Sequence, residues 1–442
     1  MSAGAAQSFV PGRVVAGGDL RNLAEISQNE AFSVRFLRGP FEEHEGESRS
    51  IALIEGAEPG REIDLLARVA SLLSTPIERG KAVVDLDYLM TYGGLSDFAY
   101  QLGLAGRSLV EGFQRRPYSG QSDSPDANLP ATRPSVHDGY QAAGTKNQYN
   151  PTQYASSPLS RYAHQFLLPC NRSGRPAKPV RPIAIIDSGL APSYCRAGRI
   201  DSIIDLSQGM PQMLTLGNSV DPVGHGTRVV RIVDRAAGNP RTKFIIASLG
   251  AQENVTSSAV AMAMTCCVDG IPNMQRPRSE MPLVVTMSLW PSVEGIGSLH
   301  QPLLVPFIAA RYPAVTFLMA AGNDGEYFEV DRGASNLLYG AALDNRGHVP
   351  KYCSIPNDPL RTLATFGGCE SAAFFDGPHA FGTSWATPVL AAALDAALNE
   401  TNVDFENPPL PYDEIRRHSL SHSFSMGNLG WEPDRHFNQF RR

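Results

Sequence analysis

The chain has 442 residues, about three times the length of an average domain, so it has room for a large core and an accessory region. Its formal net charge is −6, which argues against a nucleic-acid-binding protein, because such proteins carry a basic excess. Hydrophobic residues make up 42% of the chain, which is ordinary for a globular protein and excludes a disordered one.

The start of the chain shows no basic segment followed by an apolar one, so no secretory signal is expected. The uncharged stretch over residues 377–394 contains proline, histidine, serine and threonine and is too polar for a lipid bilayer. Six cysteines are too few for a disulfide framework in a chain of this length, and no Cys-x-x-Cys pair indicates a zinc site. These observations predict a cytoplasmic protein with no membrane partner and no nucleic-acid partner.

The first part of the chain is predicted to hold a flexible N-terminus and a small folded domain. The flexible part covers residues 1–29. Residues 30–114 are predicted to form an α+β domain. Within it, residues 32–39 and 48–56 have the apolar pattern of strands, and residues 62–80 have the spacing of a helix.

A second helix of this domain is predicted over residues 95–113. Residues 115–160 contain no Ile, Met, Phe, Trp or Cys and are predicted to be a flexible linker, because they cannot bury enough apolar surface to fold. Residues 161–400 alternate short apolar runs with helical stretches. This alternation predicts an α/β domain of three layers, with a mainly parallel sheet between helices. The polar residues 401–442 are predicted to be a C-terminal extension.

Four short motifs with chemically active side chains follow one another in the α/β region. They are Asp187-Ser188-Gly189, Gly224-His225-Gly226-Thr227, Ala320-Ala321-Gly322-Asn323 and Gly382-Thr383-Ser384. Each alone is compatible with a turn, a helix cap or a buried hydrogen bond. Together they hold the parts of nucleophilic acyl transfer: a serine, a histidine base, an acid that fixes the histidine tautomer, and an amide for the oxyanion.

In these motifs the sequence resembles the subtilisin-like serine proteases, the subtilases, over roughly residues 180–400. Asp-Ser-Gly, Gly-His-Gly-Thr, Ala-Ala-Gly-Asn and Gly-Thr-Ser-x-Ala-x-Pro are intact and in the family's order. The resemblance implies a subtilisin-like fold and a serine endopeptidase with Asp187, His225 and Ser384 as its triad. It also implies that Asn323 is the side-chain donor of the oxyanion hole.

The resemblance further implies how a protein or peptide substrate binds. In the family the substrate lies extended and pairs with strand edges. The corresponding segments here are Ser248-Leu249-Gly250 and Ser288-Leu289-Trp290, together with Ala321 and Gly322. Trp290 stands where the family usually has glycine. Two interpretations stay open: the indole narrows the cleft, or it turns away and packs in the core.

No cofactor is expected, and no metal site is predicted. Members of the family often bind calcium in surface loops, but no calcium loop can be read in this sequence. His418 and His422 are four residues apart, as in helical metal sites, but no third ligand is positioned near them.

Subtilases are commonly made with a small α+β prodomain that helps folding and blocks the cleft until it is cut away. Residues 30–114 have a suitable size, so the chain's own N-terminal domain is a candidate inhibitor; a permanent regulatory domain is the alternative. The chain is predicted to be a regulated intracellular processing protease. Two other functions stay open: a catalytically silent fold that acts as a binding module, and a peptide ligase or esterase that uses the same acyl-enzyme.

Overall fold

The structure is a computed structural model. It describes residues 9–26, 32–39, 43–44, 47–56, 58–92, 180–237, 241–251, 255–271, 274–291, 302–323, 327–328, 330, 333–343, 353–356, 358, 361–367 and 382–400. Several predicted features lie outside the described residues. They are the helix over 95–113, the linker over 115–160, the extension over 401–442, and the pair His418 and His422.

An N-terminal unit comes first in the chain and covers the described residues up to Tyr92. Its elements are β1 (Phe9–Gly18), α1 (Arg21–Ile26), β2 (Ser33–Arg38), β3 (Glu43–His44), β4 (Glu47–Ser48), β5 (Ser50–Glu55), α2 (Glu62–Leu72), α3 (Ser74–Glu78), β6 (Ala82–Tyr88) and β7 (Met90–Tyr92). Strands β2, β5, β1 and β6 form an antiparallel sheet in that order. Strands β2 and β5 lie within the two segments predicted to be strands. The segment over residues 62–80, predicted as one helix, holds two helices, α2 and α3.

The segment predicted to be a flexible N-terminus contains a strand of this sheet, so that prediction differs from the structure. β1 pairs with β5 on one side and with β6 on the other. Val14, Val15 and Ala16 at its centre are fully buried. Their apolar run is short and lies between glycines, so its local pattern is typical of a loop. Pairing with segments that are distant in sequence makes it a strand.

The α/β unit follows from residue 180. Its strands are β8 (Ile183–Asp187), β9 (Ile200–Asp205), β10 (Gln212–Leu214), β11 (Phe244–Ser248), β12 (Gly270–Ile271), β13 (Met274–Gln275), β14 (Val284–Met287), β15 (Leu289–Pro291), β16 (Thr316–Ala320), β17 (Tyr327–Phe328), β18 (Leu337–Leu343), β19 (Ile355–Pro356) and β20 (Thr362–Phe366). Its helices are α4 (His225–Ala236), α5 (Ser257–Asp269), α6 (Leu304–Ala310) and α7 (Thr383–Glu400).

Eight of these strands form one sheet in the order β10-β9-β11-β8-β14-β16-β18-β20. Every neighbouring pair in it is parallel except β9 and β10. Strands β8, β11, β14 and β16 are buried at every residue, which explains their continuous apolar sequences, because a parallel strand is covered on both faces. The predicted α/β unit with a mainly parallel sheet is confirmed.

Helices cover both faces of this sheet. Ile183 and Ile185 of β8 belong to a hydrophobic cluster that includes residues of α4 and α7. Ala184 and Ile186 belong to a second cluster with residues of α5 and α6. Successive side chains on a strand point to opposite faces, so β8 contributes to both clusters at once.

Candidate active site

The acid and the histidine of the predicted triad meet at the end of β8. Asp187 is the last residue of that strand, and His225 is the first residue of α4. His225 Nδ1 and Asp187 Oδ1 are 2.7 Å apart, and both side chains are fully buried. The backbone N–H of Ser188 donates to the same carboxylate oxygen at 2.7 Å. Burial raises the pKa of Asp187, and the facing His225 opposes that rise.

A second carboxylate, Asp221, stabilises the turn that precedes His225 and positions it. It accepts hydrogen bonds from the backbone N–H groups of Gly224 at 2.8 Å and Thr227 at 2.7 Å. It also accepts the hydroxyl of Ser188 at 2.6 Å, which ties the helix start to the end of β8. The sequence analysis missed this residue. Its signal was an aspartate just before a predicted helix start, where acidic residues satisfy backbone donors.

The glycine after His225 is required by space. A Cβ atom at Gly226 would lie only 2.3 Å from the backbone oxygen of Gly189. The backbone N–H of Gly226 donates to the hydroxyl of Ser188 at 2.8 Å. Helix α4 therefore approaches the chain after β8 more closely than any side chain would allow.

Ser384 is the second residue of α7 and is fully buried. Its carbonyl oxygen accepts a hydrogen bond from the Ser288 hydroxyl at 3.0 Å. Neither its Oγ nor His225 Nε2 has a hydrogen-bond partner among the described residues. Buried polar atoms without partners are uncommon, because the lost hydration is not replaced. The catalytic hydrogen bond of a serine–histidine pair is often long in the absence of substrate, so the lack of a bond between these two atoms is compatible with a reacting pair.

Asn323 lies just past the end of β16, next to the start of α7. Its side-chain oxygen accepts the Thr383 backbone N–H at 2.8 Å and the Thr383 hydroxyl at 3.0 Å. Because both bonds use the oxygen, the NH₂ group lies on the other side of the planar amide. Thr383 thus orients Asn323, and the sequence analysis did not assign it this role.

Two aromatic rings flank the imidazole of His225. The ring of Trp385 lies 5.2 Å from it, centroid to centroid, and the ring of Tyr92 lies at 5.7 Å. Trp385 follows Ser384 in α7, whereas Tyr92 is the last residue of β7 in the N-terminal unit. A residue of the N-terminal unit therefore contacts the predicted general base.

Strand β7 lies in the predicted substrate cleft. It pairs antiparallel with β15, with Tyr92 opposite Leu289 and Thr91 opposite Trp290. On its other side, the backbone N–H of Met90 donates to the carbonyl of Val255 at 2.8 Å. The segment is thus held between two backbone edges, as an extended peptide would be.

The second edge differs from the predicted one. Ser248 donates its hydroxyl to the carbonyl of Ser188 at 3.1 Å, and the Leu249 backbone N–H bonds the Asp187 carbonyl, so both residues support the triad from behind. Gly250 is in contact with the segment, because its carbonyl accepts the Tyr92 hydroxyl at 2.9 Å. The chain leaves the sheet after Ser248, and among the described residues the backbone hydrogen bond to β7 comes from Val255, just before α5.

The remaining predicted cleft residues are Ala321, Gly322 and Trp290. Ala321 is fully buried, and its backbone N–H donates to the Gly340 carbonyl at 2.9 Å; its place in the cleft stays a prediction. Trp290 is 2% exposed and its ring lies 4.4 Å from that of Phe328. A Cβ at Gly322 would lie 2.8 Å from two atoms of the indole. The Trp290 side chain therefore fills the space between β15 and the chain after β16.

The N-terminal unit also contacts α5 and α6 through charged groups. Asp87 accepts the backbone N–H of Ser258 at 3.0 Å at the start of α5, and Asp85 accepts the backbone N–H of Leu303 at 2.7 Å just before α6. Carboxylates are favoured at helix N-termini by the exposed N–H groups and the helix dipole. At the other end of α5, Asp269 accepts Arg49 at 2.9 Å and Arg38 at 2.8 Å.

Burial raises the pKa of Asp85 from 3.8 to about 6. A raised acid pKa means that the docked protein binds more protons than the unfolded chain, so stability is lost as the pH rises from about 4 to about 6. In the Ser384→Ala background, lowering the pH from 7.5 to 5 should stabilise the Asp85 protein more than its Asp85→Asn counterpart, by about 1.4 kcal/mol. Denaturant unfolding at both pH values measures this; equal pH dependence in the two proteins would contradict it.

Two further features of the described part of the chain concern metal ions and membranes. No group of three or more His, Cys, Asp or Glu side chains there is placed to hold a metal ion. No helix there is long and apolar enough to cross a bilayer. The expectations of no cofactor and no membrane partner stay predictions.

No protein-family model matches this chain, and no curated protein matches it. Among solved structures, the chain is similar to proteases from Pseudoalteromonas arctica, with 17% identity and a TM-score of 0.38 over 57% of this chain and 87% of that one. A cold-adapted subtilisin-like serine proteinase gives 17% identity and a TM-score of 0.36 over 56% of this chain and 85% of that one. Similarity at this level does not establish a family, so the assignment of a function depends on the geometry of the site.

Proposed function

We propose that this protein is a subtilisin-like serine endopeptidase whose triad is Asp187, His225 and Ser384. The observation that carries the proposal is the fully buried pair of His225 and Asp187, 2.7 Å apart, with the imidazole 5.2 Å from the ring of Trp385, the residue that follows the buried Ser384. His225 Nε2 and Ser384 Oγ, the two atoms that would exchange a proton, have no other partner among the described residues. A structural histidine would use both ring nitrogens in hydrogen bonds.

In this mechanism Ser384 Oγ adds to the carbonyl carbon of the peptide bond and its proton passes to His225 Nε2. Asp187 holds the proton on Nδ1 and stabilises the imidazolium that forms. The negative oxygen of the tetrahedral intermediate accepts hydrogen bonds from the Asn323 NH₂ group and the backbone N–H of Ser384. His225 then protonates the leaving amine, and water hydrolyses the acyl-enzyme by the same steps.

The N-terminal unit acts as the inhibitor of this site in our proposal. The pairing of β7 with β15 and the contact of Tyr92 with His225 support this role, because both use positions that a substrate needs. The docking of Asp85 and Asp87 on α6 and α5 supports an interaction that is specific to this unit. A protease that carries its own inhibitor fits a processing task in which activity begins when the N-terminal unit is released.

We place the protein in the cytoplasm. The described cysteines Cys266, Cys267 and Cys353 are buried free thiols, and Cys195 is an exposed one. Free thiols are typical of reducing compartments.

The test is the reaction of the protein with a fluorophosphonate probe, together with its intact mass. The wild type should label at Ser384 and lose its N-terminal part with time, and Ser384→Ala should do neither. Ser202→Ala, a serine in β9 away from the triad, is the matched control and should behave as wild type.

Failure to label even after the N-terminal unit has been removed would refute the protease and favour the silent binding module. Labelling followed by transfer of the acyl group to an added amine, in preference to water, would favour the peptide ligase. Rapid hydrolysis of esters with no cleavage of peptides would favour the esterase.

A further inference from the structure

The register of β7 on β15 shows which way each side chain of a bound peptide points. Tyr92 lies opposite Leu289, and Thr91 lies opposite Trp290. Opposite residues of an antiparallel pair have their side chains on the same face, and successive residues alternate. The ring of Tyr92 faces His225, so Thr91 shares the other face with Trp290.

A substrate peptide in this register has its next residue opposite Ser288. The Ser288 hydroxyl donates to the carbonyl oxygen of Ser384 at 3.0 Å, so this residue is the one beside the nucleophile. Its side chain would point away from His225, to the face of Thr91 and Trp290. It would be a diagonal neighbour of Trp290, a distance that an indole spans easily.

That face is already filled by the Trp290 indole. The ring packs against Phe328 on one side and lies so close to Gly322 that a Cβ there would be 2.8 Å from the ring atoms. Asn323, the proposed oxyanion donor, comes directly after Gly322. A peptide residue whose carbonyl is attacked at this point would have its side chain in the volume of the indole, and packed interiors do not yield such volume cheaply.

We propose that this protease cleaves after glycine, preferably after a glycine that follows an aromatic residue. The inference rests on the proposed function of the site. The chain supplies such a sequence where its own tail enters the cleft, since Tyr92 is followed by Gly93 and Gly94. Trp290 is the specificity residue: it excludes side chains at the acylated position, and His225 offers a surface to the preceding aromatic ring.

The first substrate is then the Gly93–Gly94 bond of the chain itself. Ser384 Oγ forms an ester with the Gly93 carbonyl carbon as the bond to the Gly94 nitrogen breaks. The serine proton passes through His225 to the Gly94 amine, which becomes a new N-terminus. Water then cleaves the ester, which restores Ser384 and leaves a carboxylate at Gly93. The Met90–Tyr92 strand can remain in the cleft as a bound product.

The cis test uses the full-length chain and N-terminal sequencing of its fragments. Wild type should produce a fragment that begins at Gly94. Gly93→Leu should slow this cleavage about 100-fold or more, because the leucine would overlap the indole. Gly94→Leu is the matched control and should keep most of the rate, because the residue on the leaving side does not face Trp290. Equal rates in wild type and Gly93→Leu would overturn the proposal.

A change at Trp290 tests whether this side chain causes the preference for glycine at the acylated position. Trp290→Gly should accept the leucine, so the double variant Trp290→Gly with Gly93→Leu should cleave faster than Gly93→Leu alone. Trp290→Ala serves if the glycine variant does not fold. If no folded Trp290 variant speeds cleavage of the Gly93→Leu chain, Trp290 is not the specificity residue and its assignment is overturned.

Peptides added in trans keep the test independent of these variants. Once its N-terminal unit has dissociated, the wild-type protein should cleave Met-Thr-Tyr-Gly-Gly-Leu-Ser and should leave the same peptide with Leu at the fourth position intact. Two outcomes would refute the glycine preference and leave the serine hydrolase in place, provided that Ser384 labels with fluorophosphonate. In the first, the leucine peptide is cleaved as well as the glycine peptide. In the second, neither the glycine peptide nor the Gly93–Gly94 bond of the chain is cleaved. If Ser384 does not label, the proposed function fails first.

Discussion

Asp187→Asn is expected to lower kcat/KM for peptide or ester hydrolysis by about 10⁴-fold while the protein stays folded. The Asp187 carboxylate accepts the Nδ1 proton of His225 at 2.7 Å and so leaves Nε2 free to take the proton of Ser384. An asparagine amide in that place can donate to Nδ1. The imidazole would then carry its proton on Nε2, where it cannot act as a base.

The control for this prediction is a second buried aspartate. Asp234 in α4 accepts the Tyr194 hydroxyl at 2.9 Å and contacts Arg199, away from the nucleophile. Asp234→Asn should lower stability but keep kcat/KM within about tenfold of wild type. Steady-state kinetics and thermal unfolding of both variants separate the two effects. An Asp187→Asn enzyme that keeps more than a tenth of the wild-type kcat/KM would contradict the triad.

The parts of the site that could be predicted are those with a local sequence signature. A parallel strand buried on both faces is apolar throughout, so an aspartate at its end, such as Asp187, interrupts the pattern visibly. His225 and Ser384 stand at helix starts marked by glycines, which are needed where backbones approach closely or turn. The physical cause of each signal lies within a few residues of it.

The parts that could not be predicted depend on contacts between distant segments. Tyr92 and Leu289 are about 200 positions apart, and no local pattern records that their strands pair. Neither does a pattern show that Thr383 orients Asn323, or that the cleft edge forms at Val255 and not at Ser248. The direction of the Trp290 side chain likewise depends on Gly322 and the ring of Phe328.

Inhibition by the N-terminal unit would persist after cleavage of the chain. The unit is held at two places besides the cleft: its carboxylates meet the starts of α5 and α6, and Arg38 and Arg49 meet Asp269 at the other end of α5. Asp269 is 7% exposed, so loss of both arginines, as on release of the N-terminal unit, would leave its charge buried without a cationic partner from that unit. Cleavage of the chain removes the covalent link that keeps the N-terminal unit at a high effective concentration near the cleft, but it leaves these contacts in place. If the N-terminal unit is the inhibitor that we propose, cleavage and release would be two separate steps, and release would control activity.

Asn323→Ala is expected to lower kcat by about 10²–10³-fold with little change in KM, the range known for loss of one oxyanion donor in subtilisin. The hydrogen bond from the NH₂ group strengthens as the carbonyl oxygen becomes negative, so its loss raises the barrier more than it weakens substrate binding. Because the same side chain also accepts two hydrogen bonds from Thr383, the alanine change removes support as well as a donor.

Thr383→Val separates these contributions. It removes a hydroxyl that donates to the Asn323 oxygen and accepts the Gly322 backbone N–H at 3.2 Å, and it leaves the Thr383 backbone N–H in place. The kcat should therefore fall by no more than about thirtyfold, the value of two hydrogen bonds of about 1 kcal/mol each. A much larger loss in Asn323→Ala than in Thr383→Val assigns the difference to the donated hydrogen bond, since both variants disturb the same contact. Equal losses would mean that Asn323 acts by holding the start of α7, and that the oxyanion is stabilised by backbone groups alone.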